Sequence, residues 1–194
     1  MAEPGDPRAT ALVHAFRDDH VAQWLVPERE HRHRVYARWL GMVVQHVDRA
    51  GQVLSDYDDR VVQLWLPADG QAPPLLDEEQ DRALREVTGE CQRRFDQLGE
   101  AMEENHPGDS HEYLALVGTV PSVQGTGRGG AAMRDALARN DDRGVGSYLE
   151  ASSARSRVLY QRLGFHDSAP PIELPDGGPT LYPMYRPPHS AGAS

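Results

Sequence analysis

The apolar positions of the first half repeat mostly at helical spacing. Leu12 and Phe16 lie four apart, and Val21, Trp24 and Leu25 make a short apolar patch. Tyr36, Leu40, Val43 and Val47 then recur at four, three and four, which lines one face of a helix running to about Asp48. Gly51 ends that stretch. Two strand-like runs follow, Gln52–Ser55 and Val61–Leu66, and the acidic, turn-prone Asp56–Asp59 between them predicts a hairpin. Beyond the loop Ala68–Pro74, the residues Leu84, Val87, Cys91, Phe95, Leu98 and Met102 keep a three/four rhythm as far as Asn105. The rhythm predicts one long helix with Cys91 on its buried face, stopped by His106–Ser110.

The second half changes period. His111–Val120 alternates like a strand, with Leu114 and Leu116 on one face and Tyr113 and Val117 on the other. A glycine-rich turn leads into a helix whose face carries Ala132, Met133, Ala136 and Leu137, closed by Asp141–Gly144. Val145–Glu150 reads as a strand and Arg155–Leu163 as a short helix. Phe165 and Leu181–Tyr185 read as closing strands, and the tail from Pro187 as loose. The order strand, turn, helix, strand is a crossover, so the strands at His111–Val120 and Gly146–Ala151 should be parallel neighbours. The whole predicts a single α/β (α+β) domain over 1–194, its sheet mostly antiparallel and flanked by helices.

Composition narrows the setting. A chain of 194 residues, 39% of them hydrophobic, can bury one proper core. The formal charge is −10, and every basic residue is arginine, with no lysine. That balance disfavours nucleic acid and anionic membranes as partners and mildly favours a cationic small substrate. No apolar run is long enough to cross a bilayer, and the start lacks the features of a secretory signal. Cys91 is the only cysteine, so no internal disulfide is possible, and a cytoplasmic setting is the simplest expectation. On a buried face Cys91 is a core thiol rather than a nucleophile. His31 and His33 are too close to share a helix face and lack an acid partner. They read as surface residues, and no metal site is expected.

Chemistry concentrates in Pro121–Gly130. Glycines there let backbone N–H groups converge at a helix N-terminus, where the dipole also favours an anion, and a phosphate-bearing ligand is the natural occupant. No Gly-Lys-Ser/Thr is present, which excludes a P-loop. Gly125-x-Gly127-x-x-Gly130 formally matches the dinucleotide fingerprint, with Glu150 about where its ribose-binding acid belongs. Against this, Pro121–Gln124 separates the strand from the first glycine, and too little chain follows Glu150 to complete a doubly wound sheet.

Two motifs carry a family resemblance. Gln124-x-x-Gly127-x-Gly129 is similar to the acyl-CoA pyrophosphate loop of the GNAT acyltransferase superfamily. Leu159-Tyr160-x-x-Leu163-Gly164-Phe165 resembles its later Leu-Tyr-x-x-x-Gly-Phe signature, in the right order and at the right separation. The likeness runs from about Tyr113 to Phe165. His111-x-Tyr113-Leu114 and Leu149-Glu150-Ala151-Ser152 look like the puromycin N-acetyltransferase-like branch, and Trp24-Leu25-x-Pro27 does so less specifically. The resemblance implies a GNAT-like fold with one splayed parallel strand pair and acetyl-CoA as co-substrate without a metal. It implies an acyl-CoA-binding core over about 111–166 and acceptor-side helices and hairpin over about 9–105.

Carried onto these residues, the backbone of Val117, Gly118 and Thr119 would pair with the pantetheine amides. The amides of Gln124, Gly125, Thr126, Gly127, Arg128, Gly129 and Gly130 would hold the pyrophosphate. Tyr160 would face the thioester sulfur as general acid. The chain departs from the family at Ser153 and Ser156, where asparagines are usual and where serines would donate to the carrier over a shorter reach. It departs again at Glu112, where the branch tends to have Trp.

An amine nucleophile must also lose a proton. Glu112, His111 and Glu150 lie on the two flanking strands. Strand alternation lets only one of His111 and Glu112 face the cleft, and Glu150, at the end of the splayed strand, is the favoured base. The expected function is transfer of an acetyl (acyl) group to a primary amine of a small molecule, of the antibiotic-resistance or biosynthetic kind, by a monomer or homodimer. A protein or peptide acyltransferase and a non-catalytic acyl-CoA-binding module are the alternatives. A dinucleotide-binding protein is the remotest.

Overall fold

The computed structural model describes residues 5–189. Its first half is built around α3 (Arg29–Ala50), which buries Val35, Tyr36, Trp39, Leu40, Val43 and Val47 along the face that the spacing predicts. Before it come α1 (Pro7–Phe16), with a proline in its first turn, and α2 (His20–Leu25). Each is opened by an aspartate whose carboxylate accepts from the free amides, Asp6 for α1 and Asp19 for α2. The end of α2 is fixed from two sides. The Trp24 indole donates to Pro175 O at 3.0 Å, and the buried Arg32 guanidinium donates to the carbonyls of Val26 and Pro27. β1 (Gln52–Asp56) and β2 (Val61–Ala68) form the expected hairpin.

The long helix predicted to Asn105 is broken. α4 (Glu78–Thr88) ends at Gly89, whose φ of +55° only glycine adopts without cost, and a single tight turn, Gly89–Cys91, leads into α5 (Gln92–Glu104). The apolar rhythm runs through the break because both helices face the same core. Cys91 therefore sits half-buried in the turn rather than on a buried helix face. His31 also differs from expectation. It is half-buried and its Nε2 lies 2.8 Å from Val87 O, joining α3 to the end of α4.

Six of the seven strands run in the order β1-β2-β3-β4-β7-β5, with β3 at His111–Thr119, β4 at Ser147–Ala151, β5 at His166–Asp167 and β7 at Thr180–Arg186. The short β6 (Ile172–Glu173) pairs with β7 beside this path. Every pairing is antiparallel except β3 with β4, which are joined by α6 (Arg128–Asp142), while α7 (Ala154–Arg162) follows β4. This is a mixed sheet, and among the described residues the doubly wound parallel sheet of the dinucleotide reading is absent.

Alternation along β3 is not regular. Leu116 lies opposite Leu64 and Leu114 opposite Trp65, so Ala115 is an extra residue, a bulge. One extra residue turns the following side chains over. Leu114 packs with Met133, Leu137 and Leu149 beneath α6, whereas Leu116 joins the core beneath α1 and α3. The expectation that these two leucines share a face is thus corrected. The first three tail residues are held in part, since His189 N donates to Asp141 Oδ1 at 2.7 Å, and the rest of the predicted loose tail lies outside the described residues. Among the described residues no helix is long and apolar enough to cross a membrane.

Candidate active site

The parallel pair β3–β4 is registered only at Glu112 opposite Ser147 and Tyr113 opposite Tyr148. Past that point the strands part, and Val117, Gly118 and Thr119 are paired on one side only, with Gln63, Val62 and Val61 of β2. This leaves a strand edge open toward the gap, as an extended amide-bearing ligand needs. Gly118 has a second task. A Cβ there would come within 2.7 Å of Leu12 Cδ2 and 2.9 Å of Ala15 Cβ, so its bareness lets α1 lie against the strand.

The glycine turn lies at the mouth of the same gap. Gly125 (φ +73°) and Gly127 (φ +83°) are left-handed, and Gly127 caps α6 without any side-chain acceptor. The first helical bond is Ala131 N to Gly127 O, so the amides of Arg128, Gly129 and Gly130 find no carbonyl within the helix. A Cβ at Gly125 or Gly127 would meet nothing within 4 Å, so the turn leaves open ground around those two glycines. Gly129 is bare for another reason, because its Cβ would lie 2.8 Å from Thr119 Oγ1, where α6 rests on β3. Gln124 donates to Thr119 O at 2.9 Å and Thr126 to Val123 O at 2.7 Å, which stiffens the turn. The Arg128 guanidinium stacks over Tyr57 of the β1–β2 turn at 4.8 Å. Uncapped amides, a helix dipole and empty space fit the pyrophosphate of an acyl carrier.

Tyr160 is placed by a helix ending. Phe165 N donates to Tyr160 O and Gly164 N to Gln161 O, with Gly164 left-handed at φ +91°. This is a Schellman stop whose accompanying apolar contact is Phe165 on Tyr160, ring centroids 5.9 Å apart and edge to face. The Leu-Tyr-x-x-x-Gly-Phe signature is therefore a device for holding that ring. Tyr160 is 8% exposed and packs with Leu149, Ala151 and Met184, and its hydroxyl has no hydrogen-bond partner among the described residues. Burial pushes the phenol up to about 12, so it keeps its proton throughout the physiological range. Ser153 and Ser156 are bound to each other, each side chain accepting from the other's amide, and together they cap α7. Serine at these positions closes the helix start rather than reaching into the gap.

Glu150 faces the other side of the sheet, away from Leu149 and Ala151. Its Oε2 accepts from the Tyr113 phenol at 2.9 Å, while Oε1 is closed off from solvent and has no partner among the described residues. Burial pushes this carboxyl up to about 7, and the Tyr113 and Tyr148 phenols offset part of that rise. It lines a cavity of about 110 Å³ with Phe16, Asp19, Tyr36, Trp39 and Leu116.

His111 and Glu112 lie elsewhere. Both are buried at the closed end of the β3–β4 pair, and neither lines that cavity. Glu112 pairs with Arg143 at 2.9 Å. His111 sits among the rings of His106, Tyr148 and Tyr185, where burial holds it below its ordinary value. The structure thus separates Glu150 from the two other residues read as candidate bases. Among the described residues no group of three or more His, Cys, Asp and Glu is arranged to hold a metal ion. Asp19 and the Tyr36–Trp39 wall were not singled out by sequence reasoning as site residues. Tyr36 was read only as part of a helix face, and Asp19 and Trp39 were not read at all.

No protein-family model matches the chain. Among solved structures, it resembles a histone acetyltransferase HPA2 and related acetyltransferase of Corynebacterium glutamicum. The two are 26% identical over 95% of this chain and 91% of that one, with a TM-score of 0.70. A polyamine N-acetyltransferase of Drosophila melanogaster superposes with a TM-score of 0.56 at 17% identity, over 93% of this chain and 92% of that one. Arylalkylamine N-acetyltransferase 2 of Aedes aegypti does so at 0.54 and 11%, over 93% and 94%. The fold is that of the GNAT acetyltransferases, and the chain is an acyltransferase of the GNAT type.

Proposed function

We propose that the protein is an N-acetyltransferase that moves an acetyl group from acetyl-CoA to a primary amine of a small molecule, by direct attack in a ternary complex. The observation that carries this reading is Glu150. It is a sequestered carboxylate with one free oxygen, in an apolar cavity on the opposite face of the strand from Tyr160. A carboxyl held near 7 can take the proton from a substrate ammonium at neutral pH and is matched to that task.

The carrier supplies the acyl group and a thiol as leaving group. The open edge at Val117, Gly118 and Thr119 binds its amide arm, and the amides of Gln124 to Gly130 bind its pyrophosphate. Tyr160 holds the departing sulfur. With its own value near 12, the phenol acts mainly by donating a hydrogen bond, because full transfer to a thiolate of ordinary pKa, about 8–9, runs uphill. Ser153 and Ser156 support this site by fixing the start of α7. Of the three bases read from sequence, Glu150 is the one retained, and His111 and Glu112 stabilise the closed end of the strand pair. We place the chain near the puromycin N-acetyltransferase-like branch on the residues around His111 and Glu150.

A cavity of only about 110 Å³ that carries two acids favours a small acceptor over a protein chain, which would need an open groove. The test is release of free thiol from acetyl-CoA on addition of amines. Amine-dependent release at a rate that saturates in both substrates supports the reading. Acetyl-CoA binding with no transfer to any amine would leave a binding module instead.

A further inference from the structure

The acceptor's chemistry can be read further from the walls of its cavity, an inference that rests on the acyltransferase reading above. The only charged residues among those walls are two acids, Glu150 and Asp19. Asp19 lies at the α1–α2 turn. Its Oδ1 is held by the amides of Val21 and Ala22 at 2.9 and 3.1 Å, while Oδ2 has no partner among the described residues. Its charge is felt by Tyr36, whose phenol it helps to hold above the ordinary value. The remaining walls are apolar or aromatic for the most part. Tyr36 and Trp39 stand edge to face at 5.2 Å, and Trp39 stands the same way to Phe95 at 5.5 Å. Trp39, Leu75, Leu98 and Met102 also line a wider hollow of about 510 Å³ beside α4 and α5, which adjoins the inner cavity through these four side chains.

We infer that the acceptor is a primary monoamine with a compact apolar body, its ammonium held by Asp19 beside Glu150 and its ring or branched chain against Tyr36 and Trp39. The inner cavity, about 110 Å³, is of the order of the roughly 150 Å³ cavity that admits a single benzene. It suits one ring or a branched chain of similar size. Among the described residues no cationic side chain lines it, so an amine that also bears a carboxylate would bury an unpaired negative charge beside two acids. A second ammonium on a short linker would fall against Leu75, Leu98 and Met102. Asp19 binds the cation and Glu150 takes its proton, so the first sets KM and the second sets turnover.

The test is thiol release at saturating acetyl-CoA with 2-phenylethylamine, isoamylamine, spermidine and an unblocked peptide as acceptors. The two apolar amines should exceed the others in kcat/KM by roughly tenfold or more, since an unpaired charge in an apolar site costs at least that. Asp19→Asn keeps an oxygen for the α2 amides, so the fold should hold. Loss of one charged hydrogen bond should raise the amine KM roughly 10- to 100-fold, with kcat little changed and calorimetric acetyl-CoA affinity the same. Met102→Trp fills part of the cavity and should penalise 2-phenylethylamine more than methylamine. Preference for spermidine or the peptide, or an unchanged KM in folded Asp19→Asn, overturns this inference and leaves the acyltransferase reading standing. Failure of the wild-type protein to bind acetyl-CoA, or to acetylate any of these amines, overturns both.

Discussion

The two sides of the central sheet are built by different means. On the proposed carrier side, recognition would fall mainly to backbone: the free edge of β3 past Tyr113, the uncapped amides at the start of α6, and the open ground around Gly125 and Gly127. On the proposed acceptor side it would fall to side chains drawn from α1, the α1–α2 turn, α3, α5, β3 and β4. Backbone recognition demands glycine at fixed spacings and is indifferent to the rest of the carrier. A side-chain cavity demands only that distant residues meet, and it can be reshaped one residue at a time. The contrast explains how one frame could serve a constant donor and a variable acceptor.

Glu150→Gln should break the acceptor side most sharply. Gln still accepts from Tyr113 but takes no proton, so kcat/KM should fall about 10²- to 10⁴-fold, as for loss of a general base, while acetyl-CoA affinity stays the same. The same variant should be more stable at alkaline pH. Because burial raises the folded value of Glu150 to about 7, its contribution is intact below about pH 4.5 and is lost as pH climbs to 7. Above that, wild type carries a buried charge costing about 3 kcal/mol, which Gln removes. Melting curves at pH 4 and pH 8 should coincide with wild type at the first and lie above it at the second.

Tyr160→Phe should lower turnover up to roughly 10²-fold, because the ring and its Phe165 contact remain and water can partly replace the donor. Single-turnover measurement, in which chemistry is isolated, decides it. An unchanged rate would make the tyrosine a packing residue only. Gly118→Ala probes the seam between the two sides. The new methyl would press on Leu12 and Ala15, so unfolding in urea should show a loss of about 1–3 kcal/mol. Cys91→Ser should change little, within about 0.5 kcal/mol and with full activity. Its thiol is half-buried in a turn, and burial raises rather than lowers its pKa.

What could be read in advance follows the same division. The face of α3, the β3–α6–β4 crossover, the glycine turn and the Tyr160 ending are each set within one continuous stretch of chain, and all were legible. The bulge at Ala115 was not, because it is defined only against β2, some fifty residues earlier, and an alanine fits either face. The break at Gly89 was masked because α4 and α5 keep one apolar rhythm on one core. The use of Ser153 and Ser156 was legible only in part. Their family positions suggested the carrier, while their three-residue spacing also suits a reciprocal cap, which is what the structure forms. Asp19 and Trp39 meet Glu150 only through the tertiary fold, so no local pattern could join them.

The central claim is that the glycine turn binds an acyl carrier while Glu150 serves the other substrate. Calorimetric titration of acetyl-CoA into wild type, Gly127→Val and Glu150→Gln tests it most directly. A left-handed φ of +83° makes valine costly to the backbone by about 1–2 kcal/mol, but its Cβ meets no protein atom within 4 Å, so the fold should survive, as a melting curve would verify. Wild type and Glu150→Gln should bind one acetyl-CoA with the same affinity. Both should gain roughly 2.7 kcal/mol of stability at a hundredfold excess over Kd, NAD should give neither effect, and Gly127→Val should show none. Undiminished binding by folded Gly127→Val, or binding of NAD in place of acetyl-CoA, would contradict the account.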